Sequence, residues 1–308
     1  MTAPGPATIA VLGSANMDLV VTVPRAPGRG ETVSGLAFRT VPGGKGANQA
    51  LAAARGGAPV VFAGAVGDDA FGREIVELLR AEHVRVDGVA VSHDQPTGTA
   101  HITVDGGGDN SIVVVAGANG TLTALTDAHR AVISSAAMLL LQLELPLPIV
   151  EAAAAHARAA GVRTVLTPAP ALALSDALLA HVDLLVPNEH EATVITGVAD
   201  PMDAARALAE RCGEVVVTLG RRGAAHVVAG AEPELVPAFE VEAVDTTAAG
   251  DTFVGVLAAA LVEGLGTDAA LRRASAASAL SVQRFGASSS MPLRAEVDAF
   301  LATRDGAP

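Results

Sequence analysis

The chain has no tryptophan, no tyrosine and only seven phenylalanines among 308 residues. Stacking of bases on aromatic rings, the usual grip on single-stranded nucleic acid, is therefore hardly open to it. Positive charge is also scarce. Lys and Arg number 20 against 33 Asp and Glu, a formal net charge of −13, and no basic run stands ready to neutralise a phosphate backbone. One cysteine, Cys212, rules out an intrachain disulfide and a cysteine-based zinc site. Its segment, Ala204 to Cys212, reads as a helix with a buried or idle thiol. Ala-rich stretches such as Ala152 to Ala160 are interrupted by His156 and Arg158, so they do not read as membrane spans. Met1 to Pro6 lacks the charged and apolar regions of a secretory signal. A soluble cytoplasmic protein is expected.

What remains is half apolar, 17% charged and rich in glycine, with 32 residues, which suits an α/β protein with a large core. Short β-branched runs alternate with longer Ala/Leu-rich ones. Thr8–Leu12, Val60–Val66, Met138–Leu143, Thr164–Thr167, Leu184–Val186 and Val215–Thr218 read as strands. Lys45–Arg55, Phe71–Glu82, Pro148–Ala160, Ala192–Thr196, Met202–Arg211 and the segments beyond Asp251 read as helices. This alternation predicts a doubly wound, mostly parallel sheet flanked by helices. Two segments break the rhythm: Asp18–Val23 running on to Glu31-Thr32-Val33, and Thr97–Val104 joined by the turn Asp105–Asn110 to Ser111–Val115. They predict a small β-sheet lid, at about 16–41 and 96–115, on one domain spanning 1–308. One face of such a lid is free to meet a second copy.

Asp245-Thr246-Thr247-Ala248-Ala249-Gly250-Asp251 leads into the apolar run Phe253 to Leu261. A helix N-terminus offers unpaired N–H groups and partial positive charge to an anion. Small side chains at Ala248, Ala249 and Gly250 let a phosphate reach that backbone. A carboxylate beside a phosphate repels it as a ligand, but serves as the base for a hydroxyl attacking it. The other reading of Asp251 is an N-cap or a first-turn acid.

Other strand ends carry polar groups. Asn16 and Asp18 follow the first strand, where a turn is the alternative; Glu144 follows Met138–Leu143. Gly43-Gly44-Lys45-Gly46-Ala47-Asn48 precedes a helix but lacks P-loop spacing, and Gly13-Ser14-Ala15-Asn16-Met17-Asp18 lacks the dinucleotide fingerprint. Its glycines suggest close approach of a small polar ligand, with Lys45 and Asn48 bonding to it, or else a glycine turn before a helix. Asn188 and Glu191 suit hydrated Mg²⁺ and phosphate, or else an N-cap with an acidic first turn. His190 reads as exposed. Thr218-Leu219-Gly220-Arg221-Arg222-Gly223 reads as a turn over nucleotide phosphates or as a hairpin turn.

In their order these segments resemble the PfkB-type carbohydrate kinases, most closely the ribokinase branch, from about Ile9 to Leu301. Gly43–Ala50 and Asp245–Phe253 are the diagnostic motifs. Pro27–Val33, Gly67-Asp68-Asp69, Gly117-Ala118-Asn119, Gln142-Leu143-Glu144, Pro168-Ala169-Pro170 and Pro187-Asn188-Glu189 support them. The resemblance implies ATP-dependent phosphorylation of D-ribose at the 5-hydroxyl, with another sugar or a nucleoside as alternative, and a non-catalytic sugar-binding regulator as the rival class. It implies that Asn16, Asp18, Gly44, Lys45, Asn48 and Glu144 bind the sugar and that Asp251 is the base. The Ala248, Ala249 and Gly250 backbone becomes an anion hole. Asn188, Glu191 and the residues from Thr218 to Gly223 serve ATP and Mg²⁺. Ser275 stands where some members have a histidine near adenine. Asp245, Thr247, Ser281, Arg284, Gly286 and Ser290 match a monovalent, usually K⁺, site. A homodimer paired through the lid is also implied.

Overall fold

Residues 7–107 and 110–305 are described by the computed structural model. The terminal segment Met1–Pro6, and Gly108 and Asp109 of the expected hairpin turn, lie outside the described residues. The strands are β1 (Ile9–Leu12), β2 (Asn16–Thr22), β3 (Ala37–Gly43), β4 (Val60–Gly67), β5 (Arg85–Ser92), β6 (Gly98–Val104), β7 (Asn110–Val115), β8 (Met138–Leu141), β9 (Arg163–Leu166), β10 (Leu184–Leu185), β11 (Glu214–Thr218), β12 (Ala224–Val228) and β13 (Glu234–Val236). The helices are α1 (Lys45–Arg55), α2 (Ala70–Ala81), α3 (Asp127–Ser134), α4 (Leu147–Ala160), α5 (Asp176–Leu179), α6 (Glu189–Thr196), α7 (Pro201–Cys212), α8 (Ala249–Glu263), α9 (Thr267–Ser281) and α10 (Arg294–Asp305).

Among the described residues, nine strands form one sheet in the order β13-β12-β11-β10-β9-β8-β1-β4-β5. It is parallel from β11 to β5, and β12 and β13 are antiparallel additions. Strand order runs outward in both directions from β1, which gives the doubly wound crevice at the carboxyl ends of the strands. Side chains alternate between two cores. Ile9 and Val11 pack with Phe62, Ala50 and Leu257 on one face; Ala10 and Leu12 pack with Leu139, Ile149 and Leu208 on the other.

A second sheet runs β3-β2-β6-β7. β2 pairs with β3 and β6 with β7 antiparallel, while β2 and β6 are parallel. The expected β6–β7 hairpin is present. Glu31-Thr32-Val33 is not a strand; the sheet uses β3 instead, paired residue for residue with β2 from Asn16–Gly43 to Thr22–Ala37.

Two helices bring the site together. α8 is buried from Asp251 to Ala260, as the run from Phe253, apolar on every side, requires. It crosses α1 at close range: a Cβ on Gly255 would stand 2.6 Å from Gln49 O and from Ala52 Cβ. This crossing carries both helix N-termini to the same rim of the main sheet.

Candidate active site

A cavity of about 550 Å³ lies between the inner face of the small sheet and the ends of β1 and α1. Asn16, Asp18, Lys45, Asn48, Glu144 and Asp251 all reach it. Asn16 and Asp18 do not form a turn, as their spacing allowed. They are alternate residues of β2, so period-two pleating turns both to the cavity face. Gly44, at φ 89°, is the N-cap of α1, and a Cβ there would stand 2.7 Å from Asn16 N. Gly46 faces Gly13, whose Cα and carbonyl carbon a Cβ would approach to 2.6 Å. These glycines serve backbone-on-backbone packing at the strand–helix junction, and Gly44 also lines the cavity.

Glu144 is fixed by three donors on Oε2: Ser14 Oγ at 2.5 Å, Lys45 N at 3.1 Å and Asn16 Nδ2 at 3.4 Å. Asn119 Nδ2 donates to Asn16 Oδ1 at 2.8 Å, and its own Oδ1 accepts from Ala15 N at 3.0 Å. Asp251 is 7% exposed. Its Oδ2 accepts from Asn48 Nδ2 and its Oδ1 from Gln49 Nε2, both at 3.1 Å. It is therefore not merely a first-turn acid, because both oxygens are taken by side chains of α1.

Charge is concentrated here. Burial pushes the Asp251 carboxyl up, against Lys45 and the two amides. Asp18 is pushed up to about 7, chiefly by burial and then by Glu144 and Asp251. Burial opposes the Lys45 ammonium, yet Asp251, Glu144, Glu191 and Asp18 together hold it above the ordinary lysine value.

At α8 the cap is Ala248, in the left-handed region at φ 57°, with no side-chain bond to the helix. Ala249 N donates to Thr246 O at 3.2 Å, and Thr252 N to Ala248 O at 2.8 Å. The amides of Ala248 and Gly250 have no acceptor among the described residues. Nothing lies within 4 Å of where a Cβ on Gly250 would stand. Of the three expected anion-hole residues, Ala249 already spends its amide in the turn.

Asp245 ties this turn to the segment after α9. Its Oδ1 accepts from Thr247 N at 2.9 Å and Thr247 Oγ1 at 2.6 Å, and its Oδ2 from Gly286 N at 2.9 Å. Despite burial, these bonds hold its carboxyl below the usual range. Ser281 and Ser290 are buried, their hydroxyls donating to Ser278 O at 2.9 Å and Ala287 O at 2.8 Å. The Arg284 side chain turns away to pair with Glu296. What this cluster offers a cation is one ionised carboxylate with hydroxyl and carbonyl oxygens, a donor set suited to a large monovalent ion.

Asn188 and Glu191 form a capping box on α6: Glu191 N donates to Asn188 Oδ1 at 2.7 Å and Asn188 N to Glu191 Oε2 at 2.8 Å. Burial nevertheless raises the Glu191 carboxyl, and its charge is felt at Lys45 and Asp251. The 218–223 turn adjoins it. Thr218 bridges to Asn188, Arg222 Nη2 meets Glu189 Oε2 at 2.7 Å, and Leu219 N donates to Gly223 O at 2.7 Å. β11 and β12 do return as a hairpin, the second of the two readings of this turn. Asn188, Glu191, the residues of the 218–223 turn and Ser275 are not part of the cavity wall; Ser275 is buried on α9. His190 is exposed. Cys212 is half-buried and pushed up to about 11 by burial, which leaves it inert.

Sequence reasoning gave no role to Ser14, Gln49, Asn119, Gln142 or Arg39. The first four are polar residues buried beside the cavity, and Arg39 reaches it from β3. Ser14, Gln49, Asn119 and Gln142 stand inside motifs already singled out, and for Ser14, Asn119 and Gln142 a polar residue between apolar neighbours was the available signal.

Among the described residues no helix is long and apolar enough to cross a membrane, and no three His, Cys, Asp or Glu side chains converge as a metal site. The chain is 44% identical to ribokinase of Bacillus subtilis over 296 residues, covering 95% of this chain and 99% of that one. It is 43% identical to ribokinase of Schizosaccharomyces pombe, covering 94% and 96%. The solved structure of Arabidopsis thaliana ribokinase, complexed with ribose and ATP, matches with a TM-score of 0.90 at 36% identity, covering 96% of this chain and 98% of that one. The pfkB carbohydrate kinases match over residues 6–294, and the chain belongs to that family.

Proposed function

We propose that this protein phosphorylates D-ribose at its 5-hydroxyl with ATP. One observation carries the reading: a buried, burial-raised carboxylate, Asp251, at an open helix N-terminus, facing a cavity walled by Asn16, Asp18, Lys45, Asn48 and Glu144. Asn16, Asp18, Asn48 and Glu144 bond the sugar hydroxyls, and Gly44 and Lys45 close that wall. The 5-oxygen attacks the γ-phosphorus, the bond to the ADP oxygen breaks, and the hydroxyl proton passes to Asp251. Such a base contributes about 10²–10⁴-fold. The Ala248 and Gly250 amides and the α8 dipole receive the charge of the phosphoryl oxygens.

ATP lies along Asn188, Glu191 and the 218–223 turn, with Ser275 toward the base. No carboxylate cage is present among the described residues, so Mg²⁺ would be held by Glu191 together with the nucleotide. K⁺ would be held by Asp245, Thr247, Ser281, Arg284, Gly286 and Ser290. It would supply positive charge behind the anion hole and stiffen the turn. A rate faster in K⁺ than in Na⁺ is expected, and indifference to the ion removes that site.

The small sheet acts as a lid on a single domain. Its outer face carries exposed Phe38, Val113 and Val115, and this face pairs with a second copy. Light scattering of Val113→Lys against the parent protein tests the pairing. The same reading puts the enzyme in the cytoplasm, where ATP is available. ADP release measured across pentoses, hexoses and nucleosides tests the substrate: D-ribose is expected among the best, and its absence from them overturns the assignment while leaving the kinase class standing.

A further inference from the structure

Asp251 is gripped by a buried relay of amides set behind the cavity wall. Gln49 and Gln142 are 0% and 1% exposed, and neither lines the cavity. Gln49 Nε2 donates to Asp251 Oδ1 at 3.1 Å and to Thr167 Oγ1 at 3.2 Å. Gln142 Nε2 donates to Gln49 Oε1 at 2.6 Å. The relay has a direction. With Gln142 feeding the Gln49 oxygen, only one orientation of the Gln49 amide is allowed, and it aims N–H groups at the carboxylate. Reversed, Gln49 would set oxygen against oxygen at Asp251 and donor against donor at Gln142.

This direction has a cost. Gln142 Oε1 is buried with no partner among the described residues. An unpaired buried acceptor is unfavourable and rare, and here it follows from committing the Gln142 donor to Gln49.

We infer that Gln49, oriented by Gln142, is a positioning residue that fixes the Asp251 carboxylate toward the cavity and keeps it in the proton-accepting form. The inference rests on the reading of Asp251 as the base. Burial drives Asp251 toward the neutral acid, and the Asn48 and Gln49 bonds oppose this. Of the charged groups facing it, Lys45 on α1 favours the anion, while Glu144 after β8, Asp18 on β2 and Glu191 on α6 disfavour it.

The test is the pH profile of kcat for ribose phosphorylation in Gln49→Met and Gln142→Met, with Asp251→Asn alongside. Gln49→Met removes a donor to a charged acceptor, so the Asp251 pKa rises. The acid limb of kcat moves up by about one pH unit, while KM for the sugar stays within about twofold. Gln142→Met exchanges one unpartnered buried oxygen, its own, for another on Gln49. Its melting temperature therefore stays near the parent's, while its acid limb moves the same way by less. This variant keeps the test open if Gln49→Met fails to fold. Profiles in both variants that overlay the parent's, with Asp251→Asn inactive, overturn the inference and leave the base assignment intact. An active Asp251→Asn overturns both.

Discussion

The N-terminus of α1 and that of α8 lie against one cavity, yet the protein fills the first and leaves the second open. At α1, Lys45 N donates to the Glu144 carboxylate and Gly46 N to Ser14 Oγ, so the helix end already holds an anion of the protein's own. At α8 the cap is an alanine without a capping side chain, and the only acidic group in the first turn is held elsewhere. Asp251 points its oxygens at Asn48 and Gln49 rather than at its own amides. Both ends carry the same dipole and the same kind of orphan donors. What differs is the occupant. Glu144 shows how well such an end takes a carboxylate, and under the proposed function the equivalent open end of α8 would take a phosphate.

The sharpest way to break this contrast is Asp251→Asn. If α8 is the reacting end, kcat falls by roughly 10²–10⁴-fold, while sugar binding measured by calorimetry is largely kept. The fold should gain stability at neutral pH, because a buried carboxyl with a raised pKa costs most when charged. Near-parent turnover would make α8 an ordinary helix end.

Two glycines at the second position of each helix give a matched pair. Gly46→Ala drives a methyl to within 2.6 Å of the Gly13 backbone, which cannot yield as a flexible side chain would. A loss of about 1–3 kcal/mol in urea unfolding is expected. Gly250→Ala meets nothing within 4 Å and has no positive φ to relieve. It should gain about 0.5–1 kcal/mol as a helix residue. Its rate should still fall on the order of tenfold to a hundredfold, since the methyl takes space a phosphate needs. Full activity in Gly250→Ala would sever the open end from catalysis.

Much of this contrast could be read from sequence, and the rest fails for identifiable reasons. Local pattern was enough for α1, found from Lys45 to Arg55 as expected, and for the apolar body of α8. β3 was missed because Arg39, Thr40 and Pro42 dilute its pattern; its strand state comes from pairing with β2. Asn16 and Asp18 looked like a turn because the β6 partner that makes them a strand begins at Gly98, far along the chain. The sequence points to Asp251 as a candidate base, but not to the amides that hold it. Gln49 lies inside the Gly43–Ala50 motif, but its partner Gln142 lies 93 residues away. Residue chemistry at strand ends was thus legible. Contacts that fix orientation were not, because each joins segments that no local pattern connects.

Glu144→Gln probes the filled end and has the smallest expected effect. The amide can still accept from Ser14 Oγ and Lys45 N, but it brings no charge to the α1 dipole. That loss is worth about 1 kcal/mol. Against it, Asp18 and Asp251 lose a like-charged neighbour, so the net change in unfolding free energy at pH 8 should be below about 1 kcal/mol. The pH dependence is more telling. Asp18, at about 7 when folded, binds its proton before the unfolded chain does, so stability rises as pH falls from 8 through 7 and on toward 4. Without the Glu144 charge this rise should begin at lower pH. It should not vanish, because burial, the largest cause, remains. Urea unfolding at pH 8, 7, 6 and 5 reads the displacement directly. An unchanged profile would mean that Glu144 spends its charge wholly on the helix end. A displaced one would show that the carboxylate closing α1 also sets the protonation of the sugar-binding wall.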